Sequence, residues 1–198
     1  FPYTTLFRSW EETQLEHERG WIWEDTSGSL KDKIIAHRFG IRQGDKVRVI
    51  DNFKQCGLND ACGLPEKFVL HGIDYIAATL IRAMAQGVWL PNLEICGKTF
   101  DLKSAYKQYP IHQTDREHLR IAIQDPGAKK PRLFGLNALP FGATGSVAGF
   151  LRVSAALFFI LTTGLKIWCS AFFDDFPTLA TNALAGNTEK SVGLLFDL

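Results

Sequence analysis

The sequence has no C-x-x-C pair; its four cysteines, Cys56, Cys62, Cys96 and Cys169, stand apart. That spacing argues against a zinc site or a disulfide framework and leaves buried free thiols in a reducing compartment as the expectation. There is no charge excess either. A formal net charge of +1 means that the whole-chain balance does not announce a polyanion partner. Long apolar runs are missing. The most apolar stretch, 155–161, lies between Arg152 and Lys166 and falls far short of the roughly 20 residues that span a bilayer. No secretory leader is read at the start. Together these absences predict an intracellular protein, cytoplasmic or nuclear, not secreted and without a membrane partner. Internal repeats and low-complexity segments are lacking as well.

What is present is material for a core. The 198 residues are 46% hydrophobic and 12% aromatic, enough for one large domain or two small ones. Charge is unevenly spread: residues 10–30 hold six acids and one Arg, 31–60 hold seven Lys/Arg against four acids, and 98–132 hold eight against four. The middle of the chain can therefore present a basic face.

Periodicity predicts a short helix and then a strand or loop over 10–28. A weak helical pattern over 30–39 rests on Leu30, Ile34 and Ile35 and is broken by Gly40 to Gly44. Lys46-Val-Arg-Val-Ile-Asp51 alternates charged and apolar residues, the mark of a half-buried strand. A loop over 52–65 leads to a helix over 65–90 with Val69, Ile73, Ile76, Leu80 and Met84 on one face. Then come a strand at 98–102, a helical turn to Gln108, and two strands at 119–123 and 133–138 around a basic turn. A loop at 139–146 opens a helix to about Leu161. A strand over 165–175 enters an acidic turn, a return strand follows at 178–181, and a last helix starts near Glu189.

The acidic turn, Phe172-Phe-Asp-Asp175, sets two adjacent carboxylates between aromatic residues. Asp is a common turn residue, so a surface turn is one reading. Like-charge repulsion and desolvation make the pair costly at a buried hairpin tip, and a divalent cation removes that cost. A second acid, Asp101, ends a strand just before a helical turn, where it is also a candidate N-cap. A sheet that sets this strand beside the acidic hairpin gathers Asp101, Asp174 and Asp175. Two divalent ions about 3.5–4 Å apart are the arrangement used for in-line nucleotidyl transfer.

Four blocks, in order over about 130 residues, resemble the fingers and palm of a reverse transcriptase from a retroelement. They are Lys46-Val-Arg-Val-Ile-Asp-Asn-Phe-Lys54; Phe100-Asp-Leu-Lys-Ser-Ala-Tyr106 followed by Gln108-Tyr-Pro-Ile111; Asn137-Ala-Leu-Pro-Phe-Gly-Ala-Thr-Gly-Ser146; and Phe172-Phe-Asp-Asp175. The resemblance implies an α+β right-hand polymerase fold, with an antiparallel palm sheet packed on helices, ending before the thumb. It implies an N-terminal extension at 10–30, fingers and a connecting helix at 31–96, and a palm at 97–198 with a fingers insertion around 112–138. The activity it implies is RNA-directed DNA polymerisation, with dNTP and an RNA or DNA template-primer as partners and two Mg²⁺ ions, or Mn²⁺, as cofactor.

Carried over residue by residue, Asp101, Asp174 and Asp175 are the catalytic carboxylates and metal ligands, joined by the backbone carbonyl of Leu102. Lys46 and Arg48 are the candidates for the triphosphate, with the choice between them open. Tyr106 is the ring that excludes a 2′-hydroxyl. Phe141 and Gly142 shape the nucleotide pocket. Gly145 and Arg152 face template or primer. Two alternatives are open: an RNA-dependent RNA polymerase palm, and a non-catalytic retroelement relic that binds nucleic acid. The first nine residues, Phe1-Pro-Tyr-Thr-Thr-Leu-Phe-Arg-Ser9, resemble a translated sequencing-library adapter and are expected to take no part in the fold.

Overall fold

The computed structural model describes residues 3–64, 66–85 and 94–197. In chain order its elements are α1 (Tyr3–Glu18), β1 (Ile22–Glu24), β2 (Ile34–Gln43), β3 (Lys46–Asn52), α2 (Leu58–Ala61), α3 (Ile73–Ala85), β4 (Ile95–Asp101), α4 (Gln113–His118), β5 (Leu119–Asp125), β6 (Lys130–Leu136), α5 (Thr144–Phe159), β7 (Trp168–Cys169), β8 (Asp175–Thr181) and α6 (Ala185–Phe196). A 3-10 turn, Ala105–Gln108, follows β4, and a π-helical turn, Ile160–Gly164, extends α5. The protein is mixed α+β and divides into two compact units. The described residues of Phe1–Pro65 and Tyr106–Ala148 form the first, and those of Glu66–Ala105 and Gly149–Leu198 the second. The segment 10–30, set apart as an extension, lies within the first unit, and α3 groups with β4 in the second. Part of the 65–90 helix lies outside the described residues.

The first unit is built on a five-stranded sheet in the order β1-β6-β5-β2-β3. It is not purely antiparallel: β2 runs parallel to β5, with Ile34 opposite Leu119. β2 also replaces the helix expected over 30–39. Its buried positions are Ala36, Arg38 and Gly40, a period of two carried by residues that do not read as apolar, so the pattern was hidden. Gly40 lies inside this strand. The break comes at Gly44, whose φ of +60° opens a tight turn into β3, a position that favours glycine. The sheet buries Phe53, Ile121, Ile123, Phe134 and Leu136.

Helix α1 begins at Tyr3, so residues 3–9, expected to lie outside the fold, form its first half. Its buried residues include Thr5, Ser9, Thr13 and Glu16, spaced at close to helical period. The hydroxyls are satisfied within the helix: Ser9 Oγ donates to the Thr5 carbonyl at 2.8 Å and Thr13 Oγ1 to the Ser9 carbonyl at 2.7 Å. A Cβ on Gly40 would overlap Ser9 Oγ and press on Thr5 and Val47. Small residues on both sides therefore let helix and sheet approach closely.

Beneath α1 lies a buried ionic cluster. The Arg38 guanidinium forks onto Asp51, with Nε–Oδ1 at 2.6 Å and Nη2–Oδ2 at 3.0 Å, and its Nη1 reaches Glu16 Oε2 at 2.8 Å. Lys107 Nζ sits 3.0 Å from the other Glu16 oxygen, an ion pair without hydrogen-bond alignment. Two cations face two anions, so the cluster is neutral. Burial works to lower the Arg38 pKa, but the charges of Asp51 and Glu16 outweigh it and raise the value. The cluster joins α1, β2, β3 and the 3-10 turn.

The second unit carries a three-stranded antiparallel sheet in the order β4-β8-β7. Phe100 and Phe176 are opposite one another in the β4–β8 register. Both rings meet Phe196 of α6 edge-on, at centroid distances of 6.4 and 5.1 Å. On α3 the helical period expected from the sequence is present, but its phase differs. Ile76, Thr79, Leu80 and Ala83 are the more buried positions, whereas Ile73 and Met84 are exposed. Thr144–Gly164, 21 residues, is long and apolar enough to cross a membrane by length and composition. It exceeds the 155–161 run because the helix starts earlier and the π turn prolongs it. Phe150, Leu151, Ser154 and Leu161 within it are buried.

Removing one partner from a buried ion cluster leaves an uncompensated charge, which costs about 3–5 kcal/mol. Asp51→Ala is expected to lower stability by that amount in urea unfolding. A loss under about 1 kcal/mol, the range of an exposed pair, would refute a structural role for the cluster.

Candidate functional site

Strand β8 begins at Asp175 and β4 ends at Asp101, and the two residues are direct partners in the antiparallel register. Register alone thus brings together two carboxylates far apart in sequence. The third follows from the turn. The Leu102 N–H donates to the Asp174 carbonyl at 3.1 Å, so the β4 end and the hairpin tip are tied through backbone. The hairpin closes at a Phe172–Asp175 bridge, with N–H···O distances of 2.9 and 3.0 Å. Between them Phe173 takes a φ of +55°, a left-handed conformation that costs a non-glycine residue roughly 1–2 kcal/mol.

Asp101 and Asp175 are exposed and Asp174 is half-buried. The Asp101 carboxyl is pushed above the ordinary range, first by burial and then by the charges of Asp174 and Asp175. Among the described residues no basic side chain pairs with any of the three. No group of three or more His, Cys, Asp or Glu among the described residues is converged tightly enough to hold a metal ion as the side chains stand. The donor set is all oxygen and carries three negative charges, which suits a hard divalent cation. The residues fit the implied Mg²⁺ in the chemistry of their donors, and the side chains do not converge on one point as they stand. Leu102 is buried, and its carbonyl accepts the Ala105 N–H at 3.1 Å, so one of its two lone pairs is taken.

Lys46 and Arg48 are exposed on alternate positions of β3, an edge strand of the first unit's sheet. Tyr106 and Phe141 are brought together in that unit, with ring centroids 4.9 Å apart at 60°, and Lys107 Nζ lies 5.9 Å from the Phe141 centroid. Gly142 has a φ of +100°, and a Cβ there would overlap the Asp51 carbonyl oxygen. Its smallness thus serves a backbone contact with β3. A Cβ on Gly145 would meet only Cys62 Sγ at 3.4 Å, so no close approach demands glycine there. Arg152 forks onto Glu66 at 2.7–3.2 Å, both side chains about half exposed.

Three contributing residues escaped the sequence reading. The Asn59 side chain donates to the Gly142 carbonyl at 2.8 Å and accepts the Thr144 N–H at 2.9 Å. It thereby takes one of the α5 N-terminal donors. In the second unit Ser154 Oγ donates to the Phe173 carbonyl at 2.7 Å, and His71 bonds the backbone of Ala171. Ser154 alone gave a signal, as a hydroxyl within an apolar helix; Asn59 and His71 act over long sequence separations that no local pattern marks. The thiols are free, but only Cys169 is buried; Cys56 and Cys62 are half-buried and Cys96 is exposed, against the expectation of buried thiols. Burial pushes the Cys169 thiol up to about 12, so it stays protonated at neutral pH.

A carboxyl whose pKa rises on folding loses stability as it ionises. The cost of Asp101 is absent below the unfolded value of about 3.9 and complete once pH passes its raised folded value. Asp101→Asn is therefore expected to raise the thermal midpoint at pH 7 with metal chelated, and to give no gain at pH 3. A lower midpoint at pH 7 would refute the like-charge account. No family model matches the sequence, and no curated protein matches it.

Proposed function

We propose that the chain is an RNA-directed DNA polymerase of the reverse-transcriptase kind, carrying a carboxylate centre for two-metal deoxynucleotidyl transfer to a primer 3′-hydroxyl. The observation that supports this reading is the β4–β8 register, which makes Asp101 and Asp175 partners while Leu102 bonds the Asp174 backbone. Acids contributed by two separate strands at one sheet end, with no basic side chain among the described residues to neutralise them, are costly in an idle fold.

In this reading Asp101, Asp174 and Asp175 hold two Mg²⁺ ions, for which Mn²⁺ substitutes, and Leu102 offers its carbonyl. Bound there, Mg²⁺ supplies charge neutralisation for the triphosphate and leaving pyrophosphate and acidifies the primer hydroxyl. Asp174 is the principal hairpin ligand, with Asp175 beside it. Lys46 and Arg48 offer an ammonium and a guanidinium to phosphate oxygens. Tyr106, seated on Phe141, is the residue to which the resemblance assigns exclusion of the 2′-hydroxyl. Arg152 serves template phosphate in exchange for Glu66, an exposed partner whose hold is weak.

Mn²⁺ titration of the folded chain is expected to show two sites, lost in Asp174→Asn while the fold persists. Equal binding by the wild type and Asp174→Asn would sink the carboxylate centre. In primer extension, Tyr106→Ala is expected to admit ribonucleotides at least about tenfold better, equivalent to about 1.4 kcal/mol of discrimination. Unchanged sugar selection would remove Tyr106 from the gate.

A further inference from the structure

The acidic hairpin is held by side chains that touch none of its carboxylates. Ser154, buried at 3% exposure on α5, donates its hydroxyl at 2.7 Å to the carbonyl of Phe173, the residue with the left-handed φ of +55°. His71, just before α3, meets the segment between β7 and the turn twice. Its N–H donates to the Ala171 carbonyl at 3.2 Å, and its ring Nδ1 accepts the Ala171 N–H at 3.2 Å. An Nδ1 that accepts an amide proton cannot carry one, so the neutral ring has its hydrogen on Nε2. The ring is fixed from two sides, stacked on Tyr75 at 4.1 Å and 7° and met edge-on by Phe158 at 4.5 Å. Burial keeps the His71 pKa below its ordinary value, which agrees with the neutral form.

From this geometry we propose that His71 and Ser154 are positioning residues for the Asp174–Asp175 hairpin, fixing its backbone on both sides of the turn so that the two carboxylates face the end of β4. The proposal deepens the carboxylate-centre reading and rests on it for what the hairpin binds, but the anchoring itself is a statement about the chain alone. Both anchors act on main-chain groups, Ala171 before the turn and the Phe173 carbonyl within it. They leave the carboxylate oxygens unused. An apolar side chain in either place would pack but could not fix a carbonyl or an amide. Ser154 offsets part of the strain at Phe173 by tying its carbonyl, and His71 sets the segment that delivers the turn.

The test pairs a disruptive with a conservative change at each anchor in the full chain. Ser154→Ala removes the donor and Ser154→Thr keeps it. His71→Gln moves the polar atoms beyond reach of Ala171, whereas His71→Asn places an amide oxygen near the Nδ1 position. Two readouts are taken: hydrogen exchange at the Ala171 amide and Mn²⁺ affinity. Ser154→Ala and His71→Gln are expected to weaken Mn²⁺ binding about tenfold, the usual lower bound for groups that orient ligands. His71→Gln should also speed Ala171 exchange, and Ser154→Thr and His71→Asn should restore the wild-type values. A ring-nitrogen NMR spectrum should report Nε2–H with Nδ1 as acceptor. Wild-type affinity and exchange in folded Ser154→Ala and His71→Gln would overturn the proposal, as would an Nδ1–H tautomer. If the wild type binds no Mn²⁺, the metal-centre reading fails by itself; Ala171 exchange and the tautomer then decide the His71 anchor, and exchange at the Asp175 amide of the turn, expected to speed up in Ser154→Ala and unchanged if Ser154 holds nothing, decides the Ser154 anchor.

Discussion

The second unit depends on the register between β4 and β8. Seven residue pairs run from Ile95–Thr181 to Asp101–Asp175, and a slip of one residue would turn each side chain to the opposite face. Phe176, fully buried, makes that slip expensive, because it packs against Phe196 together with Phe100. An aromatic lock one residue from the strand end therefore fixes where the acids fall. The like charges at Asp101 and Asp175 sit together because the apolar pairing behind them tolerates no other alignment.

Buried or crowded charge is treated in two different ways in this chain. In the first unit Arg38 and Lys107 face Asp51 and Glu16 within a closed cluster, and Arg120 pairs with Asp25 under Trp23. The Arg120 hydrogen bond holds Asp25 down to about 2. Each acid there has its cation inside the fold. At the end of β4 the reverse holds: three acids gather, and Asp101 is raised rather than lowered. Among the described residues no basic side chain neutralises these three acids, whereas the crowded acids of the first unit each face a cation. That contrast, rather than the presence of an Asp-Asp pair, separates a candidate centre from an ordinary turn.

Lys46–Asn52 and Leu119–Asp125 were legible because alternation is a local signal, whereas the expected strand over 165–175 is only Trp168–Cys169 and the return strand, expected at 178–181, already starts at Asp175; the pairing of Asp101 with the hairpin is non-local and was expected from the resemblance. The strand Ile34–Gln43 did not, because its buried face consists of Ala36, Arg38 and Gly40. A buried arginine is acceptable only given Asp51 and Glu16, and Gly40 only given Ser9 and Thr5 across from it. Such reciprocal fits depend on residues from other elements, so no window of sequence contains them. Gly142 shows the same limit from the other side. It was read as room for a ligand, and the structure uses that room for the carbonyl of Asp51.

The hairpin itself combines features that a purely structural turn would avoid. It has a phenylalanine where glycine is preferred, two adjacent acids, and an exposed Phe172 ring. Gly at position 173 would relieve the backbone strain, and replacing either acid would relieve repulsion. The tethers from Ser154, His71 and the Leu102 amide all fall on backbone atoms. Tethers to the carboxylates would have been the cheaper way to quiet their charge. Among the described residues the chain is held through its backbone and no basic side chain meets the acids, so the tip stays strained and repulsive. Strain and like-charge repulsion thus fall on the same few residues, the combination on which the proposed carboxylate centre rests.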